Sequence, residues 1–205
     1  MTSSMQRSEI RKLIRLRRRS LSVVEQNIAS KNLLTILTSH QKIQQAKSIA
    51  IYLARDGELN GELFIEWCWQ NNKTVYLPVI HPFSKGHLLF LKYQANTLMK
   101  MSSLGINEPK LDIRLIKPAD QIDIILTPLV AFDATGNRLG MGGGFYDRTL
   151  AACLLPSKNN DINLPYPIGI AHDCQQVEQL PIEHWDMPLP EIITPTQVIT
   201  KSTAR

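Results

Sequence analysis

The sequence predicts an α/β fold: a single three-layer domain with a mixed, mainly parallel sheet flanked by helices. Three observations lead there. Short apolar runs alternate along the chain with segments of helical periodicity, the pattern of strands joined through helices. The 205 residues, 43% of them hydrophobic, suffice for one core burying roughly 70% of the unfolded surface. Near residue 140 an apolar run passes through clustered glycines into a helix start, an arrangement suited to binding an anion.

Residues 8–19 read as an amphipathic helix, with Ile10, Leu13 and Ile14 on one face and Arg7, Arg11, Arg15 and Arg18 recurring on another. The arginine stripe admits three readings: a solvated face, a nucleic-acid contact, or a reach toward nucleotide phosphates. Arg17, Arg18 and Arg19 are expected in solvent. Ser22-Val-Val-Glu25 has capping-box spacing and opens a second amphipathic helix, with Ile28, Ala29, Leu33, Ile36 and Leu37 as its apolar residues and an end near His40. Residues 48–54 form the first buried strand. It runs into Arg55-Asp-Gly-Glu58, beyond a strand's carboxyl end, where open α/β sheets bind ligands. By spacing alone Glu58 is a solvated turn residue.

Residues 61–71 read as a helix burying Leu63, Phe64, Trp67 and Cys68, and residues 74–80 as the next strand. His81-Pro-Phe-Ser-Lys-Gly86 turns into a hairpin partner at 87–93. Neither His81 nor His87 has neighbours at metal-ligand spacing, which argues against zinc. Residues 98–109 are poorly periodic and read as a connection. A strand at 122–130 and the turn Asp133-Ala-Thr-Gly136 lead to the glycines, followed by a helix over 146–155 and an exposed loop over 156–164. A last strand at 167–171 ends at His172-Asp173. No nucleophilic serine motif accompanies that pair, so His172 is read as structural.

The net charge of +5 has one source: residues 1–19 hold seven Lys/Arg against Glu9, leaving sixteen basic and seventeen acidic residues elsewhere. No signal-peptide-like apolar stretch follows the basic segment, and no apolar run approaches the length of a membrane span. The three cysteines are scattered, with no C-x-x-C spacing, as expected of reduced thiols in the cytoplasm.

Five of the ten glycines fall within residues 136–144. Lacking Cβ atoms, Gly140, Gly142, Gly143 and Gly144 can bring backbone N–H groups close to a phosphate, with Arg138 and Arg148 adding charge on either side. Two common fingerprints fail here. Phe145 stands where the third glycine of G-x-G-x-x-G belongs, and no Gly-Lys-Ser/Thr follows.

Asn-Arg-Leu-Gly-Met-Gly-Gly-Gly-Phe-Tyr-Asp over 137–147 resembles the N-R-L-G-x-G-x-G-[YF]-Y-D signature of 5-formyltetrahydrofolate cyclo-ligases. Arg7-Ser-Glu-Ile-Arg11 matches that family's basic pair, and Gly105-Ile-Asn-Glu-Pro109 its G-I-x-E-P segment, which suggests Glu108 near the site. The resemblance implies ATP-dependent cyclisation of 5-formyltetrahydrofolate to 5,10-methenyltetrahydrofolate, with ADP and phosphate released. ATP would be held by Arg7, Ser8, Glu9, Ile10, Arg11, Arg138, Leu139, Gly140, Met141, Gly142, Gly143, Gly144, Phe145 and Tyr146. The folate would meet Leu53 and Glu58 together with Gly142, Gly143, Gly144, Phe145 and Tyr146. Arg138 and Tyr146 are the catalytic candidates, and Asp147 would bind Mg²⁺. The family's closing segment often carries a second metal-assisting Asp where this chain has Pro190, so Glu191 is the candidate for that place, with Asp186, water or nothing as the other choices.

The expected assignment is a monomeric cytoplasmic ligase of folate one-carbon metabolism, with no membrane or nucleic-acid partner. Two other readings stay open: another nucleotide-dependent phosphoryl transferase, and a nucleic-acid-binding accessory protein using the basic helix.

Overall fold

The computed structural model describes residues 6–102, 105–154 and 164–201. Helix α1 (Arg7–Arg19) starts where the Gln6 N–H donates to Glu9 Oε2 at 2.9 Å. Helix α2 (Val23–Ser39) carries the expected capping box: Glu25 N–H donates to Ser22 Oγ at 3.2 Å and Ser22 N–H to Glu25 Oε2 at 2.7 Å. The short α3 (Gln41–Gln45) then leads into β1 (Ser48–Ala50). That strand is shorter than its apolar run of 48–54. Beyond the bond from Ile51 N–H to Tyr76 O, the chain leaves the ladder for the turn at Asp56 and Gly57, where φ becomes positive.

Helix α4 (Glu62–Gln70) buries Phe64, Ile65 and Cys68, while Leu63, expected inside, stands 37% exposed. Strands β2 (Thr74–Ile80) and β3 (Leu88–Tyr93) form the expected hairpin. The stretch read as a connection instead pairs with itself, β4 (Met99–Met101) against β5 (Asn107–Pro109). Then come β6 (Ile116–Lys117), β7 (Ile124–Pro128), the small ribbon β8 (Ala131–Phe132) with β9 (Arg138–Leu139), and α5 (Phe145–Leu154). Strands β10 (Tyr166–Ile170), β11 (Glu191–Ile193) and β12 (Val198–Thr200) complete the chain. The loop expected at 156–164 lies outside the described residues except for Leu164.

Eight strands form one sheet in the order β12-β11-β10-β7-β1-β2-β3-β6. The five in the middle, β11 to β2, run parallel, and β12, β3 and β6 add antiparallel edges, so the sheet is mixed and mainly parallel. Alternation assigns the faces. Ile49, Val75, Leu77, Ile124, Leu126, Ile168, Ile170 and Ile193 pack under α2, α3 and α4. Ala50, Tyr76, Ile125 and Ile192 point the other way, toward Leu150 of α5. Helix α1 lies apart from both layers. Its Ile10 and Ile14 pack on Val130, Ala131, Leu139 and Leu180, which docks the basic N-terminus against the β8–β9 ribbon. Among the described residues no helix is long and apolar enough to cross a membrane.

Candidate active site

Beyond the carboxyl ends of β1, β2 and β7 the chain encloses a cavity of about 530 Å³. Leu53 and Glu58 line it after β1, Pro78 and Ile80 come from β2, and Pro128 and Leu129 from the end of β7. The glycine segment closes another side through Gly140, Met141, Gly143, Gly144, Phe145, Tyr146 and Asp147. The candidates for the two substrates therefore converge, although Glu58 and Tyr146 are far apart in sequence.

The glycine segment is aimed by the β8–β9 ribbon. Asp133, 2% exposed, accepts from the N–H groups of Thr135, Asn137 and Leu180 and from the side chains of Thr135 and Asn137, which fixes the turn into β9. Val130 N–H donates to Leu139 O at 2.8 Å across the ribbon. Gly142 (φ +100°) and Gly144 (φ +64°) then use backbone conformations that side chains disfavour. Phe145 starts α5 straight after, so the helix's positive end faces the segment. Arg148 ties the segment to the β2–β3 hairpin, donating to Gly143 O and, at 3.0 Å, to Gly86 O.

Arg138 is almost fully buried and donates from Nη2 to Asp147 Oδ1 at 2.5 Å. Its Nη1 is buried with no partner. Burial pushes the guanidinium's pKa down, while Asp147 works against that shift. Tyr146 is buried between opposite influences: burial and the Glu58 charge push its hydroxyl pKa up, and Arg138 pulls it down. It therefore remains a neutral hydroxyl at physiological pH. Glu58 Oε2 accepts from the Arg55 N–H at 3.1 Å. Burial raises the Glu58 carboxyl above its ordinary value, with the Arg18 charge the largest opposing influence.

The N-terminal candidates divide. Arg11 Nε donates to Gly140 O at 2.8 Å, and a Cβ on Gly142 would stand 3.7 Å from its guanidinium. Arg7 forks onto Asp186 at 2.5 and 2.9 Å and donates to Pro181 O at 3.0 Å, with Asp147 close enough to act on its charge. Ile10 belongs to the core beneath α1, and Ser8 and Glu9 are exposed; none of these three lines the cavity, and Arg7 and Arg11 also lie outside its lining. Leu139 is likewise a core residue of the ribbon.

Two expectations fail. Arg18, expected in solvent, is fully buried: its Nε donates to Asp56 O and its Nη2 to Asp56 Oδ2, both at 2.8 Å. A helical stripe records spacing but not the distant carboxylate that draws one arginine inward. Glu191 is also misplaced for a metal site. It has the strand parity of Ile193, whose side chain packs on the α2–α4 face, and it meets His40 at 2.8 Å, whereas Asp147 rides on α5 across the sheet. Asp186 is the carboxylate on the Arg7 side, and it also acts on Arg138. Glu108, 6% exposed, does line the cavity, with Lys100 3.5 Å away. His172, 3% exposed, is pushed down to about 4 chiefly by burial, so it is neutral at physiological pH.

The family model for 5-formyltetrahydrofolate cyclo-ligases matches residues 3–195. The chain is 47% identical to the 5-formyltetrahydrofolate cyclo-ligase of Escherichia coli (strain K12), covering 91% of this chain and 98% of that protein. It is 46% identical to the Haemophilus influenzae enzyme of the same name, over 93% and 98% of the two chains. The solved structure of Aquifex aeolicus 5,10-methenyltetrahydrofolate synthetase superposes with a TM-score of 0.81 at 26% identity, covering 98% of this chain and 95% of that one. With cavity, glycine segment and these likenesses in agreement, the chain belongs to the 5-formyltetrahydrofolate cyclo-ligase family, whose reaction is the ATP-dependent cyclisation of 5-formyltetrahydrofolate to 5,10-methenyltetrahydrofolate.

Proposed function

We propose that the cavity takes the folate and that the glycine segment at its edge takes the ATP triphosphate, so that the γ-phosphoryl group meets the N5-formyl oxygen beside Arg138. A volume of about 530 Å³ suits one ligand of that size. The observation that carries this reading is the unpartnered, buried Nη1 of Arg138 in a cavity also lined by Glu58 and Tyr146. A buried donor without an acceptor is costly unless a ligand supplies one.

In this reading the formyl oxygen attacks the γ-phosphorus and ADP leaves, giving an iminium phosphate. N10 then attacks the activated carbon and loses its proton, and phosphate departs with the former formyl oxygen. The protein needs no nucleophile; it aligns the two substrates and stabilises charge. Arg138 donates to the transferring group, and Arg11 with the amides around Gly142, Gly143 and Gly144 holds the remaining phosphate oxygens. The Arg7–Asp186 pair secures the start of α1. Leu53 packs on the folate, Glu58 accepts from its pterin N–H groups, and the Tyr146 hydroxyl donates between the two substrates.

Asp147 is the candidate Mg²⁺ ligand. Among the described residues no cluster of three or more acidic, histidine or cysteine side chains could hold a metal alone. An ion there would be held by one carboxylate together with substrate phosphates and water. Bound there, Mg²⁺ would neutralise triphosphate charge. We also take the chain as a monomer, and as cytoplasmic, as its three unpaired cysteines suggest.

The inward-turned arginine stripe weighs against nucleic-acid binding, because Arg7, Arg15, Arg18 and Arg19 all pair with the protein's own carboxylates. The test is formation of methenyltetrahydrofolate from 5-formyltetrahydrofolate, followed by absorbance with and without ATP and Mg²⁺. ATP-dependent product formation is expected. Its absence in folded protein would overturn the assignment.

A further inference from the structure

The turn that carries Glu58 is gripped by α1. Besides the two bonds from Arg18, Asp56 Oδ2 accepts from Arg15 Nε at 2.7 Å, and Oδ1 accepts from Arg19. Asp56 (φ +53°) and Gly57 (φ +74°) both adopt the left-handed conformation, which for a non-glycine residue persists only when its surroundings hold it there. The approach is close: a Cβ on Gly57 would stand 3.0 Å from Arg18 O. Gln26 Nε2 spans Arg18 O and Gly57 O at 3.5 and 3.4 Å, adding a contact from α2. Three guanidiniums converge on the one carboxylate of Asp56, and Arg18 is the fully buried one.

Arg18 also reaches Glu58. Its Nη2 lies 3.7 Å from Glu58 Oε1, while Oε2 is held by the Arg55 N–H of the same turn. Arg18 is fully buried behind the cavity lining, and its Nη1, like that of Arg138, has no partner.

We propose that Arg18 is a positioning residue for substrate recognition: through Asp56 it fixes the left-handed turn, and through Nη2 it orients the Glu58 carboxylate toward the N–H donors of the pterin. The proposal rests on the reading of Glu58 as the folate contact.

A second consequence concerns charge. Glu58 accepts two N–H groups well only as a carboxylate, and burial favours its neutral form. The groups facing it are Arg18 from α1, Arg55 and Asp56 from its own turn, Tyr52 after β1 and Tyr146 from α5. Arg18 is the foremost of these in favouring ionisation.

The experiment compares Arg18→Met, Arg18→Lys, Glu58→Gln and the combined variants, with thermal melting to establish folding. Losing the ion pair to Glu58 and the hydrogen bonds that fix its turn predicts about a tenfold rise in KM for 5-formyltetrahydrofolate in Arg18→Met, with KM for ATP within about twofold. The acid limb of kcat/KM for the folate should move to higher pH. Arg18→Lys should restore that limb while recovering KM only in part. In the Glu58→Gln background either Arg18 change should add little. If Arg18→Met does not fold, Arg18→Lys alone and with Glu58→Gln makes the same comparison. Folded variants with wild-type folate KM, or with equal losses for both substrates and an unmoved acid limb, would overturn the proposal. An unchanged folate KM in Glu58→Gln alone would instead remove the Glu58 reading, and the positioning role with it.

Discussion

Arg138 and Asp147 close a clasp around the glycine segment, with Nη2 and Oδ1 2.5 Å apart and the two residues nine positions apart in the chain. The two ends differ in access: the Asp147 side chain is 24% exposed and that of Arg138 3%. Asp147 can turn toward a cation without unfolding anything, whereas Arg138 stays where β9 places it and has a second donor unused. Arg138→Ala should therefore lower turnover by about a hundredfold, as when a preorganised donor to developing charge is lost. Steady-state kinetics check this, and near-normal kcat would remove Arg138 from phosphoryl transfer.

Gly142 separates conformational strain from crowding. Its φ is +100°, but an added Cβ would make only ordinary contact, 3.7 Å from Arg11. Gly142→Ala should thus add about 1–2 kcal/mol of backbone strain at this one position. A raised KM for ATP, with the folate KM little changed, is the expected result. Unchanged ATP affinity would take Gly142 out of the phosphate cradle.

The pH dependence has opposite signs at two carboxyls. Glu58 is raised above its ordinary value by burial, so folate affinity should weaken as pH falls through that raised value. Its ionisation works against the fold, so the stability contributed by the protonated carboxyl is fully present below the unfolded value and is lost as pH rises through the raised folded one. Asp133 behaves conversely. Burial pushes it up, but hydrogen bonds from Thr135, Asn137 and Leu180 outweigh that and hold it below 3.8, so its contribution is present above that unfolded value and lost as pH falls through the folded one. Folate KM should consequently climb at a pH where urea melts still show intact protein. Simultaneous loss of both would contradict the assignment of Glu58.

Glu191 tests the metal reading from the negative side. Its carboxylate is engaged by His40 on the face opposite α5. Glu191→Gln should leave turnover and its Mg²⁺ dependence within about twofold of the parent, while stability falls by about 1–3 kcal/mol because the carboxylate and His40 are both largely buried. A large rise in the Mg²⁺ needed for activity would return Glu191 to the site.

Where signals are local, the sequence carried the structure well. Ser22 and Glu25 lie within one helical turn, so their capping box follows from spacing alone. The hairpin of β2 and β3 likewise follows from a short turn between two apolar runs. The ribbon of β4 and β5 was illegible because its residues lack alternation; they pair only because the chain returns beside itself. Strand β1 ended early because the Asp56–Gly57 turn draws the chain away from its ladder.

By itself, then, the sequence determined the layered α/β class, the glycine elbow and the chemistry gathered around it, because periodicity, capping and glycine clustering act within a few residues. Only the tertiary structure decided which charges serve the site. Arg18 turned inward to a carboxylate 38 residues away, Glu191 turned to His40 across 151, and Arg11 reached Gly140 across 129. Burying a charge is tolerable only beside a partner, and which partner is near is set by the packing of helices on the sheet, which no local pattern records.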